Sequence, residues 1–211
     1  MFGGSKQEQL EHRLDHKLNA SSDGIDMDVP AKVISSETVY TGRIFHVDDM
    51  RIALTDKQGK EHEIGRQVLR HAPCVVMLVH DMSTDRYLIE REYRAGSDMF
   101  AYGLPAGLMD EGEDIMDAAL RELAEETGFG GGQWRLLMTT CANPSTQNNV
   151  THCFLAEGVE PEYERNLDPT EELSVHKLSL KQVIKLLKEN KIMQATHTSP
   201  LWKYMAEEKL L

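Results

Sequence analysis

Residues 107–129 read GLMDEGEDIMDAALRELAEETGF, a glycine-bracketed loop followed by a helix-forming run. The spacing predicts a helix from Asp114 to Thr127. Asp114 suits the N-cap, with Asp117 three residues on as an acidic variant of the capping box, and Gly128 suits the C-terminal cap. Leu120, Leu123 and Ala124 are expected to face the core. Glu122, Glu125 and Glu126 stand at i, i+3 and i+4, on one helix face. Like charges there repel by roughly 0.2–0.5 kcal/mol per pair, and the helix C-terminus disfavours negative charge. A solvated acidic face is the ordinary reading of such a run. A bound Mg²⁺ or Mn²⁺ would instead turn the repulsion into attraction. Ahead of the helix, Gly107 and Gly112 bracket a loop that can bring backbone close to a metal or a phosphate.

The rest of the chain gives this stretch its setting. The 211 residues carry 35 acidic and 23 basic side chains, a net charge of −12. Residues 107–129 hold eight carboxylates against Arg121 alone, so they account for seven of those twelve charges. An acidic chain is a poor partner for nucleic acid, whose phosphates require basic residues. No apolar run approaches the roughly 20 residues that span a bilayer; the longest, Cys74–Val79, is strand-sized. The first 17 residues, MFGGSKQEQLEHRLDHK, have no signal-peptide apolar core. Cys74, Cys141 and Cys153 are odd in number and widely spaced, as expected of reduced thiols in a cytoplasmic protein.

Three parts follow along the chain. Residues 1–31 form a polar leader in which Leu10, Leu14 and Leu18 allow a short amphipathic helix. Residues 32–70 are β-rich, with a turn at Asp56–Gly59, and are too few to bury a core alone. They are expected to pack on the main domain or on another subunit. Residues 71–211 alternate: strands at Cys74–Val79, Tyr87–Arg91, Trp134–Thr140 and Thr151–Ala156, the helix above, and two closing helices. Ser179 suits the cap of the first closing helix, and Ser199 that of the second, with Pro200 at its first position. This mixture predicts an α/β fold with a mixed sheet and helices on its faces.

Gly107, Glu113, Arg121-Glu122-Leu123, Glu125-Glu126 and Gly128-Phe129 together match the Nudix box at every specified position. On these nine positions in 23 residues the chain resembles the Nudix hydrolases. The resemblance implies an α/β/α sandwich, hydrolysis of a nucleoside diphosphate linked to another moiety, and more than one divalent ion, Mg²⁺ or Mn²⁺. It implies Glu122, Glu125, Glu126 and the Ala106 carbonyl as metal ligands. Arg121 would orient a catalytic glutamate and hold the loop, and Glu113 would be the loop glutamate of the box.

The flanks resemble the ADP-ribose pyrophosphatase subfamily over roughly residues 36–205. Arg91-Glu-Tyr-Arg94, Leu104-Pro-Ala-Gly107 and Pro144, 16 residues after Gly128, carry that likeness. It implies Arg91 and Arg94 as diphosphate contacts, Gly107, Pro144 and Asn149 near the substrate, and a homodimer that exchanges the small antiparallel β domain at residues 32–70. His152 is either a substrate contact or an ordinary strand histidine. Two departures stand out. Gly103 replaces a common glutamate, and the loop Ser145–Asn149 lacks a carboxylate. Glu171 or Glu172 could supply the missing acid or base. Other readings are a Nudix hydrolase of a dinucleotide, NADH or a nucleoside triphosphate, and a non-catalytic nucleotide-binding regulator. An acidic scaffold whose box is coincidental is opposed by the spacing.

Overall fold

The computed structural model describes residues 24–167 and 172–210. The proposed leader helix therefore lies outside the described residues, as does Glu171. The chain divides into two units, Met1–Leu69 and Arg70–Leu211.

In the first unit, β1 (Lys32–Thr41), β2 (Phe45–Thr55) and β3 (Glu61–His71) form a three-stranded sheet in that order. β1 runs antiparallel to β2, with register shifts at Val33/Ser35 and Thr38/Tyr40. The turn before β3 is held by Asp56, whose side chain accepts from the Gln58 and Lys60 amides while Gly59 takes a φ of 80°. Every residue of β1 is exposed.

The second unit is built on β4 (Cys74–Asp81), whose residues 75–79 are wholly buried on both faces. Such a continuous apolar run suits a strand covered on both sides. The sheet order is β12-β5-β4-β10-β9, from β5 (Arg86–Arg94), β9 (Gln133–Thr140), β10 (Thr151–Glu157) and β12 (Leu173–Leu178). β4 and β10 are parallel, and the other pairs are antiparallel. β4 and β5 pair with each other only at His80–Tyr87 and Asp81–Arg86. Beyond that point β6 (Met99–Gly103) pairs with β5 and β7 (Ala106–Leu108) with β4. A short ladder of β8 (Phe129–Gly130) and β11 (Glu160–Pro161) lies apart.

Alternation along β4 separates two cores. Val75, Met77 and Val79 face α1 (Ile115–Thr127) with Ala118, Ala119, Leu123 and Phe129. Val76 and Leu78 face α2 (Leu180–Lys188) and α3 (Ala195–Glu207) through Val183, Leu187, Leu201 and Met205. Each buried Val, Leu or Met contributes about 1.5–3 kcal/mol. The expected mixed-sheet α/β/α sandwich is the observed fold, with the small antiparallel sheet beside it in the sequence.

Two local expectations are corrected. Leu120 is 39% exposed, and the buried face of α1 is instead Ala118, Ala119, Glu122, Leu123 and Glu126. Ala119, Glu122, Leu123 and Glu126 follow i, i+3, i+4, i+7 spacing, so two carboxylates share the edge of the core-facing stripe. The second correction concerns α3, which begins at Ala195 after Gln194, not at Ser199, and holds Pro200 inside it. Ser199 Oγ donates to the Ala195 carbonyl at 2.7 Å. Thr196 and His197 are buried with Pro200, Leu201, Tyr204 and Met205, so packing extends the helix one turn ahead of the proline. Ser179 does cap α2, in a complete capping box with Gln182.

Candidate functional site

The loop and helix of residues 107–129 meet β7 residue by residue. Asp114 caps α1, accepting from the Met116 amide at 2.8 Å. Gly128 ends it in the left-handed conformation, at a φ of 75°. A Cβ there would meet the Tyr163 carbonyl oxygen at 2.6 Å, so glycine is required twice over. Between these caps the helix lies alongside β7. The Ala106 amide donates to Glu126 Oε2 at 2.9 Å. At Gly107 a Cβ would sit 2.0–2.2 Å from the Glu122 carboxyl atoms, which fill the space that glycine leaves. The Leu108 carbonyl accepts from Arg121 Nη2 at 3.1 Å.

Arg121 is the hub. Its Nε and Nη2 grip both Glu113 oxygens at 2.8 Å, and Nη1 donates to Glu122 at 2.8 Å and to Glu125 at 3.2 Å. The fork matches the planar guanidinium to a carboxylate. Arg121, together with the Asp110 amide, holds the Glu113 carboxyl down to about 2. Glu113 in turn holds the guanidinium proton, raising Arg121 above its already high value. The loop is thereby tied to the helix by one side chain.

A cleft of about 370 Å³ opens over this arrangement, lined by Gly107, Leu108, Asp110, Arg121, Glu122, Glu125 and Asn166. Three carboxylates face one guanidinium there, a hard oxygen donor set suited to divalent cations. The space kept free of a side chain at Gly107 admits the Glu122 carboxyl to the backbone, so the residues present fit such an ion. Among the described residues no three acidic, histidine or cysteine side chains converge on one point. In this structure Glu122 and Glu125 turn to Arg121, and Glu126 to the Ala106 amide.

Segment 162–166 closes the far end of the helix. The Glu162 and Tyr163 amides donate to the Gly128 carbonyl, the Asn166 amide to Glu125, and Arg165 Nε to Glu126. Helix C-terminal carbonyls need such donors, and a cation there suits the dipole. This is how Asn166, which no local pattern singled out, reaches the cleft. Its only signal was the need to satisfy the last turn of α1.

Other expected residues lie apart. Arg91, on β5, sets its guanidinium over the rings of Phe100 at 5.3 Å and Tyr102 at 5.7 Å. Arg94 pairs with Glu92 at 2.9 Å and lines a different cleft. Pro144 and Asn149 lie on the loop between β9 and β10, and neither lines the carboxylate cleft. Pro144 is exposed, and Asn149 is half-buried with its Oδ1 unpartnered. His152 Nδ1 lies 3.4 Å from Thr139 Oγ1. Glu172 is exposed just before β12. Cys74, Cys141 and Cys153 are free thiols. Among the described residues no helix is long and apolar enough to cross a membrane.

The chain is similar over most of its length to proteins of known family. The chain is 28% identical to the ADP compounds hydrolase NudE of Escherichia coli (strain K12), over 81% of this chain and 89% of that one. It is 26% identical to the ADP-ribose pyrophosphatase of Bacillus subtilis (strain 168), over 78% of this chain and 86% of that one. A crystal structure of an ADP compounds hydrolase superposes with a TM-score of 0.71 at 26% identity, covering 89% of this chain and 97% of that chain. The NUDIX domain model matches residues 70–197, the whole stretch that carries the cleft, and the chain belongs to the NUDIX domain family.

Proposed function

We propose that the chain hydrolyses the diphosphate bond of ADP-ribose or a related nucleoside diphosphate sugar, giving a nucleoside monophosphate and a sugar phosphate. The observation that carries this reading is the run of β7 against α1, in which Ala106, Gly107 and Leu108 meet Glu126, Glu122 and Arg121 in turn. Glu122, Glu125, Glu126 and the Ala106 carbonyl would hold Mg²⁺, or Mn²⁺ in its place, as more than one ion. Bound divalent ions supply charge neutralisation for the diphosphate and acidify water. The chain's own residues do the rest. Arg121 holds Glu113 and the loop 108–113 against the helix, so the carboxylates keep one arrangement. Arg91 and Arg94 offer guanidinium groups to phosphate oxygens. Glu171 or Glu172 would accept the proton of the attacking water. The water oxygen forms a bond to one phosphorus as the bridging oxygen leaves on the other.

The names of the similar proteins, an ADP compounds hydrolase and an ADP-ribose pyrophosphatase, support the substrate class. Retention of all three helix glutamates favours an enzyme over a nucleotide-binding regulator. The three free thiols suit a cytoplasmic protein. A homodimer formed through residues 32–70 would cover the exposed β1 face. The test is direct. The protein is incubated with Mg²⁺ and ADP-ribose, other nucleoside diphosphate sugars, NADH, dinucleotides and nucleoside triphosphates, and the products are separated chromatographically. AMP and ribose 5-phosphate from ADP-ribose are expected. Turnover of none of these compounds would leave the regulator reading.

A further inference from the structure

Among the described residues that line the carboxylate cleft, Asn166 alone comes from outside the loop and helix of residues 107–129. It is exposed, and its place is fixed from behind. Its backbone amide donates to the Glu125 carbonyl at 3.0 Å, and Nε of the neighbouring Arg165 donates to the Glu126 carbonyl. Asn166 is therefore mounted on the last turn of the helix that carries Glu122, Glu125 and Glu126. Its position relative to those carboxylates does not depend on the loop at 108–113.

A count of donors shows what it adds. The oxygens of a diphosphate are acceptors, so a cleft that orients one needs N–H or O–H groups beside its cations. Asp110, Glu122 and Glu125 line the cleft with carboxyl groups, which only accept when ionised. Arg121 has five N–H groups and uses all of them: two at Glu113 and one each at Glu122, Glu125 and the Leu108 carbonyl. The backbone amide of Asn166 is taken by Glu125, so the donor it retains is its carboxamide. That carboxamide makes no hydrogen bond among the described residues. Its neutrality matters as well. A lysine or arginine at this point would be drawn to Glu122 or Glu125, as Arg121 is, whereas an amide keeps its hydrogens for a ligand and displaces no cation.

We propose that Asn166 is a substrate-binding residue, whose Nδ2 donates to a non-bridging oxygen of the diphosphate. This rests on the hydrolase reading above and adds to it a neutral donor fixed to the same helix as the proposed metal ligands. The diphosphate is then held from two sides, by ions on the carboxylates and by an amide on the segment that closes the helix.

Methylenediphosphonate, a diphosphate analogue that water does not cleave, tests this without calling on turnover. It is titrated calorimetrically into the full-length protein at saturating Mg²⁺, and Mn²⁺ alone is titrated by electron paramagnetic resonance. Asn166→Ala removes the carboxamide from an exposed position and leaves the backbone bond to Glu125, so the fold should persist. It should bind the diphosphonate roughly tenfold or more weakly, with Mn²⁺ affinity unchanged. Asn166→Asp keeps the shape of the side chain and replaces the donor by a charge that repels the ligand, so it should weaken the diphosphonate further. With ADP-ribose the loss should appear in KM at unchanged kcat, because the bond is made to the diphosphate before it reacts. Wild-type diphosphonate affinity in either folded variant would overturn the proposal. So would a loss of Mn²⁺ affinity in Asn166→Ala equal to the loss of diphosphonate, or the absence of saturable diphosphonate binding by the wild type. The two readings fail separately. Turnover of ADP-ribose with an unaltered KM in Asn166→Ala removes the donor and keeps the hydrolase. Diphosphonate binding that depends on Asn166, without turnover of any compound, keeps the donor and removes the hydrolase.

Discussion

The three-stranded sheet of residues 32–71 and the β7–α1 corner of the second unit use their residues in opposite ways. In the sheet, β1 exposes all ten of its residues, and Val33, Ile34, Val39 and Tyr40 are large apolar side chains among them. At the corner, the polar groups are drawn inward instead: Glu122 and Glu126 are buried, and each neighbour of Gly107 has a hydrogen-bonded role. Apolar surface left in water and carboxylates taken out of it are both costly in isolation. One cost points to a protein partner and the other to a cation. The two regions should therefore fail in different assays when they are altered.

The largest separation is expected at Glu126→Gln. Glutamine can still accept from the Ala106 amide, so the fold should persist while the charge is lost. Hydrolytic activity should fall on the order of a thousandfold, with circular dichroism and molecular mass unchanged. Full activity in the folded variant would remove Glu126 from the proposed metal set. Gly107→Ala comes next. Its Cβ would overlap the Glu122 carboxyl, so strand or side chain must move by about an ångström. About a hundredfold loss of kcat/KM follows from such a displacement.

How far these effects were legible in the sequence differs between the elements. Asp114, Gly128 and the Ser179 capping box are local signals, satisfied within a few residues, and each was readable directly. Leu120 is apolar and yet lies outside the core, so hydrophobicity alone does not decide the buried face. The helix instead turns its alanines to the sheet and carries two glutamates on the edge of that face. Ser199-Pro200 is a good local cap, but burial of Thr196 and His197 overrides it and α3 starts at Ala195. Arg165 and Asn166 were invisible, since their partners at Glu125 and Glu126 are about forty residues away. Local chemistry could be read; pairing across the fold could not.

The exposed sheet supplies the converse experiment. Val39 is 53% exposed, so Val39→Asp should change the stability of the isolated fold by no more than about 0.5 kcal/mol. In the proposed homodimer the same carboxylate would enter an apolar interface. Light scattering should then report half the wild-type mass, while metal binding at the carboxylate cleft is retained. A wild-type protein that is monomeric at every concentration would remove the exchanged dimer altogether.

The smallest expected effect lies in the bond that joins loop to helix. Glu113 is held at about 2 by the Arg121 fork and the Asp110 amide, against roughly 4.3 in an unfolded chain. Its folded pKa is depressed, so the stabilising contribution is fully present above the unfolded value and is lost as pH falls through about 2. Arg121→Lys keeps the positive charge and loses the planar fork. Glu113 should then titrate closer to its unfolded value, and this part of the acid-side slope should flatten. Urea unfolding of wild type and variant from pH 6 down to pH 2 measures the difference. The two curves should lie furthest apart above pH 5, by about 1 kcal/mol after allowance for solvent screening of a partly exposed pair, and should converge toward pH 2. Parallel curves over that range would mean that Glu113 does not feel the guanidinium, and the loop would then be tied to Arg121 through the Leu108 carbonyl instead.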